Sequence, residues 1–170
     1  MPAYVALLRA VNLMGSRNLP MAELKKLCEE AGFKAVRTYI ASGNVVFKSA
    51  KSEARVKATL ESAIEAFTGR PVGVLVRTAA EMAAVHAANP FKETHASHTL
   101  AIFLDEAPPA DGLSSVSGKV NELLAPGVRE IYVFYADGVG DSKLKIPCAK
   151  AGTARNMNTV AKLAEMASAL

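Results

Sequence analysis

Val36-Arg37-Thr38-Tyr39-Ile40-Ala41-Ser42-Gly43-Asn44-Val45-Val46-Phe47 is the stretch that decides the fold. Two runs rich in β-branched and aromatic residues, Val36 to Ile40 and Val45 to Phe47, flank Ser42-Gly43-Asn44, so the segment predicts two antiparallel strands joined by a tight turn. Upstream, the apolar run Tyr4 to Leu8 predicts an inner strand. A helix follows from Pro20, which suits a first turn, and ends at Gly32, with the stripe Leu24, Leu27, Cys28 and Ala31 on one face. Downstream, Val56, Leu60, Ala63, Ile64 and Phe67 recur at helical spacing, and Pro71 precedes a strand at Val72 to Val76. The hairpin is therefore the centre of a β-α-β-β-α-β unit spanning residues 1–77.

The second half is expected to echo it. Thr78 and Glu81 form a capping-box pattern for a third helix that stops before Asn89-Pro90, and residues 78–97 read as a connecting helix and loop. Residues 98–170 then predict a strand at Thr99 to Leu104, a helix around Ser117 to Leu124, a strand at Glu130 to Tyr135, a turn at Asp137-Gly138 and a last helix carrying Val160, Leu163, Ala164 and Ala167. The expected fold class is α+β: two ferredoxin-like βαββα(β) halves with largely antiparallel sheets, the second without a closing strand, in one compact unit.

Composition limits the function. Of 170 residues 51% are hydrophobic, but 31 are Ala and only 6% are aromatic, so the core is expected to be small and aliphatic. Two cysteines make no disulfide framework, and no run approaches the roughly 18 apolar residues of a membrane span, so a cytoplasmic protein without membrane contact is expected. The net charge of +4 is uneven: the two halves of the chain carry +5 and −1, and residues 1–22, 31–52 and 142–164 contain no carboxylate. Brought together, such stretches attract phosphates or carboxylates; pointed apart, they are ordinary surface charge.

The richest of them holds Lys143, Lys145, Lys150, Arg155 and Lys162 around Thr153-Ala154-Arg155-Asn156-Met157-Asn158-Thr159, expected to open the final helix. Helix starts present unpaired N–H groups and the positive end of a dipole, so Arg155 with Asn156, Asn158 and Thr159 suits an anion or, equally, caps the helix. In the first half, the exit of strand one and the central hairpin share one sheet edge, which would bring Arg9, Asn12 and Asn44 together; the simpler reading is that the amides tie down loops.

Other constellations are incomplete. The first loop has neither a dinucleotide nor a P-loop glycine pattern. Glu93, His95 and His98 fall short of a metal-ligand set and read as a solvated loop, so no metal site is expected, and no cofactor is implied. His86, near the end of the third helix, reads as a capping or surface residue. Asp141-Ser142-Lys143 sets a hydroxyl beside an amine, but neighbours on an extended segment point apart, and Lys143 is better read as an anion ligand or a surface lysine. Tyr4 and Phe47 would stack bases only on an open sheet, and core aromatics are the favoured reading.

Six segments, Leu8-Arg9-Ala10-Val11-Asn12, Leu19-Pro20-Met21-Ala22-Glu23-Leu24, Thr38 to Phe47, Asn89-Pro90-Phe91, Ser142-Lys143-Leu144 and Thr153 to Val160, together resemble the bacterial domain-of-unknown-function 1697 family. The resemblance implies an α+β bacterial protein whose marked polar positions are Arg9, Asn12, Ser42, Asn44, Lys143, Arg155, Asn156, Asn158 and Thr159. The chain departs from the family pattern at Ala10 and Met14, usually Gly, and at Met157, usually Trp. The resulting expectation is a binder of a small phosphate- or carboxylate-bearing ligand. The alternatives are a transferase or hydrolase acting on such a substrate at the same cleft, a nucleic-acid binder, and an interaction module without a small ligand.

Overall fold

The computed structural model describes residues 1–9, 19–40 and 43–170. Two compact units divide them: Met1–Ala83 with Lys162–Leu170, and Ala84–Ala161.

In the first unit β1 (Ala3–Leu8), α1 (Met21–Glu30), β2 (Lys34–Thr38), β3 (Asn44–Lys48), α2 (Glu53–Thr68) and β4 (Val74–Thr78) follow one another as the hairpin reading requires. The sheet is antiparallel throughout, in the order β2-β3-β1-β4. Alternation assigns the faces: Tyr4, Ala6 and Leu8 of β1 join Val45, Phe47, Val74 and Val76 beneath Leu24, Cys28, Val56, Leu60 and Ile64 of the two helices. Phe33 stacks on Phe47 with ring centres 4.3 Å apart, so Phe47 and the nearly buried Tyr4 are core aromatics, closed to base stacking. Local chemistry sets the helix ends. Ser52 accepts from Arg55 N at the start of α2, and Gly69 ends it at φ 78°, a left-handed value that glycine takes without strain. The capping box at α3 (Ala79–Ala87) is present in both directions, Thr78 N to Glu81 Oε1 at 2.8 Å and Glu81 N to Thr78 Oγ1 at 3.1 Å.

The second unit repeats the strand order with different connections. Its strands are β5 (Thr99–Phe103), β6 (Leu123–Pro126), β7 (Glu130–Phe134) and β8 (Thr153–Asn156), and α4 (Met157–Ser168) follows. The antiparallel sheet runs β6-β7-β5-β8. Ile102, Leu104, Ile131 and Val133 form a core cluster, packed against by Leu113, Leu144 and Ile146 from irregular connections and by Cys148 and Ala149 of a 3₁₀ turn.

Two expectations are corrected here. Ser117 to Leu124 is not a helix: Ser117 bridges Lys145, and Leu123 already belongs to β6. Glu122 takes the Val120 and Asn121 N–H groups on its own Oε1, at 2.7 and 3.1 Å, so a side chain out-competes helical acceptors. Gly118 sits at φ 71° with the Lys143 carbonyl so close that a Cβ would lie 2.0 Å from it. Likewise Thr153 to Asn156 does not open the last helix but supplies the closing strand β8, which the sequence reading lacked. Among the described residues no helix is long and apolar enough to cross a membrane.

Candidate functional site

The proposed donors fall into three groups. In the first unit Leu8 N donates to Gly43 O and Arg9 N to Gly73 O, both at 2.9 Å, so Arg9, Gly43 and Asn44 mark one end of the sheet. Arg9 lies across Gly73, where an added Cβ would stand 3.1 Å from its Cδ. Asn44 is fully buried and donates Nδ2 to Tyr39 O at 3.1 Å, tying the hairpin's two arms. Asn12 and Ser42 lie outside the described residues.

In the second unit β8 and the start of α4 carry Arg155, Asn156, Asn158 and Thr159. Arg155 is only 8% exposed; its guanidinium donates to Thr153 Oγ1 at 2.7 Å and to Ala154 O at 2.9 Å. Burial lowers its pKa to about 10, which leaves it charged at neutral pH. Asn156 Oδ1 accepts from Thr159 N at 2.9 Å, the N-cap bond of α4, and Thr159 is buried.

Asn158 faces a different setting. With His86, Asn89, Lys92, Thr94 and Met157 it lines a depression of about 310 Å³, to which Ala87, Ala96 and Ala161 also contribute. Among the described residues no carboxylate lines it. Lys92 and His86 supply donors from the α3 end and the loop beyond, and α4 begins here, adding the positive end of its dipole. Sequence reasoning missed Lys92 and Thr94 as candidates and read His86 as a capping or surface residue. The available signal was Asn89-Pro90-Phe91, whose proline ends α3 and turns the chain toward α4.

Lys143 lines a separate depression of about 440 Å³ with Lys119, Asn121, Glu122, Tyr135, Asp137 and Ser142 among others. Three carboxylates, Glu122, Asp137 and Asp141, oppose its two lysines there. Ser142 Oγ donates to Glu122 Oε2 at 2.5 Å and accepts from Leu144 N at 3.2 Å. The Ser142 bond, then the Val120 N–H, hold the Glu122 carboxyl down to about 2. A carboxylate that acidic is a poor base for a serine, so the network fixes the loop and does not activate the hydroxyl. The raised pKa of Tyr135 follows from burial and from the Glu122 charge. The structure thus puts Lys143 and Asn158 in different depressions. Among the described residues no group of three His, Cys, Asp or Glu is placed to hold a metal ion.

What fold and site define is a two-sheet α+β protein with depressions on its second unit. The chain belongs to the DUF1697 family, proteins of unknown function, whose sequence profile matches residues 1–132. That span covers the Arg9 to Phe91 segments and stops short of Ser142-Lys143-Leu144 and Thr153 to Val160. A solved structure of the conserved bacterial protein SP0830 from Streptococcus pneumoniae is similar in fold, with a TM-score of 0.78 and 23% identity over 97% of this chain and 98% of that one. No curated protein matches the chain.

Proposed function

We propose that this protein binds a small phosphate- or carboxylate-bearing ligand in the depression at the start of α4. The observation that carries the reading is the lining: Lys92, His86, Asn89, Thr94 and Asn158 supply donors, α4 supplies its positive end, and no acid opposes them. The Lys143 depression, with three carboxylates against two lysines, is the poorer anion site. Arg155 and Asn156 act in this reading as the frame that fixes the helix start, and Asn158 as a ligand. Binding is favoured over transfer or hydrolysis because Ser142, which is joined to the Glu122 carboxylate, faces a base too weak to deprotonate it. The free thiols Cys28 and Cys148 suit a cytoplasmic setting. We also read each sheet as a ferredoxin-like unit, the second having kept the strand order while irregular connections replaced its crossover helices.

Thermal unfolding in the presence of inorganic phosphate, nucleotides, sugar phosphates and organic acids tests the reading. A ligand at a hundred times its Kd stabilises by about 2.7 kcal/mol, and Lys92→Ala and Asn158→Ala should each remove most of that gain. Stabilisation by an anion that persists undiminished in both variants excludes this site.

A further inference from the structure

We propose that His95 and His98 form an open two-imidazole site for a borderline divalent first-row metal ion, with Cu²⁺ the tightest-bound of the series. A single 3₁₀ turn, Ala96–His98, brings the two residues together: His98 N donates to His95 O at 2.9 Å, and three residues per turn set positions i and i+3 on one face. The ring centres stand 5.1 Å apart and the planes are tilted by 34°, so the rings are not stacked. Two imidazoles on one tetrahedral ion, each nitrogen roughly 2.0–2.1 Å from the metal, put their ring centres roughly 5 Å apart, so the pair already stands at a chelating separation.

The surroundings favour ligation. Ser97 Oγ lies 2.6 Å from His95 Nδ1. With that nitrogen as donor, Nε2 carries the free lone pair, the same outer hydrogen bond that orients metal-bound histidines elsewhere. On the other ring, Nε2 of His98 lies 4.0 Å from where a Cβ on Gly138 would stand, and the absence of that side chain leaves this space beside the nitrogen. Among the described residues no third His, Cys, Asp or Glu completes a set of three, which leaves the remaining coordination positions to water. Imidazole selects for Cu, Ni and Zn over Mg or Ca, and the order of affinity is Ni²⁺ below Cu²⁺ above Zn²⁺. Neither histidine lines the two depressions described above, so this site stands or falls independently of the anion reading.

Titration of tag-free, full-length protein with Cu²⁺, Ni²⁺ and Zn²⁺, with Cu²⁺ electron paramagnetic resonance on the unsubstituted chain, tests the assignment. Expected are one Cu²⁺ per chain with nitrogen couplings from two imidazoles, affinity lowered at least roughly tenfold by His95→Asn or by His98→Asn, and a loss of roughly tenfold in Ser97→Ala. The assignment is overturned if Cu²⁺ fails to bind, if the spectrum lacks imidazole nitrogen, if both histidine variants bind as the parent does, or if Cys148→Ser abolishes binding with both histidines intact.

Discussion

At the scale of single residues, side-chain acceptors decide where the backbone goes. Glu122 looks from the sequence like a helix former, yet its carboxylate gathers two backbone N–H groups and the Ser142 hydroxyl and holds the chain out of a helix. The consequence is a measurable dependence on acid. Its pKa falls from 4.5 in the unfolded chain to about 2 on folding, so between those values the unfolded chain holds a proton that the folded one has lost. Stability therefore rises with pH through that window; the contribution is fully present above it and is lost as pH falls toward 2. Urea midpoints measured at neutral pH and at about pH 3 should fall further for the parent than for Glu122→Gln, since other carboxylates titrate in both proteins. Equal falls would mean that Glu122 keeps its ordinary pKa in the folded state. Nothing in the sequence around Glu122 announces this role, because Ser142 reaches it from twenty positions away. By contrast Thr78 with Glu81, and Ser52 ahead of α2, could be read directly, since each pairs with a neighbour three residues on.

At the scale of elements, the same contrast between near and distant partners separates what was legible from what was not. The stripe Val56, Leu60 and Ile64 recurs every four residues, close to the helical period of 3.6, and its burial follows from that spacing. β8 has no such mark: Thr153-Ala154-Arg155-Asn156 is a strand because Phe103, Ile102, Ala101 and Leu100 of β5 pair with it. Its strong helix-capping pattern was real but began one step later, with Asn156 as the cap and Met157 as the first helical residue. Asn156→Ala should then cost about 1 kcal/mol, roughly 2–4 °C in Tm, while Asn156→Ser, which keeps an acceptor, should cost far less. If Ser and Ala prove equally damaging, the capping bond is not what Asn156 contributes. Edges show a further device that sequence alone hides. β4 is an edge strand, yet Val74 N donates to Glu61 Oε2 at 3.1 Å, Val74 O accepts from Lys57 Nζ at 2.5 Å, and Thr78 N is taken by Glu81. Side chains thus occupy backbone groups that would otherwise template another strand. At β6 the device is proline: Gly127 N reaches Glu130 O across the hairpin, so the alternate residue Pro126 turns its missing N–H to the open side.

At the scale of the whole molecule, two sheets with one strand order carry one local motif twice. Arg77 on β4 pairs with Val5 of the first strand in its sheet; Arg155 on β8 pairs with Ala101 of the first strand in the other. Each sends Nη1 to the carbonyl of the residue before it, Val76 or Ala154, at 2.9 Å, and each is followed by a capping residue, Thr78 or Asn156, that accepts from the N–H three positions on. Val-Leu-Val-Arg-Thr and Thr-Ala-Arg-Asn share almost no identity, which is why the sequence singled out Arg155, amid its run of cations, and passed over Arg77, although Arg77 is the more buried at 1% exposed. The equivalence makes Arg77 the control for Arg155. If both guanidiniums serve the strand-to-helix junction, Arg77→Ala and Arg155→Ala should lower stability by similar amounts, about 1–3 kcal/mol each, because each leaves hydrogen-bonding groups unpaired near the end of an edge strand. The stabilisation gained from an anion, measured on the folded fraction, should survive in both. A loss of that gain in Arg155→Ala alone would give Arg155 a duty its counterpart lacks, and would move the ligand site from the α4 depression toward β8. Loss in neither, with Lys92→Ala insensitive to the anion, would assign the two arginines to architecture and recognition to the loop that follows α3.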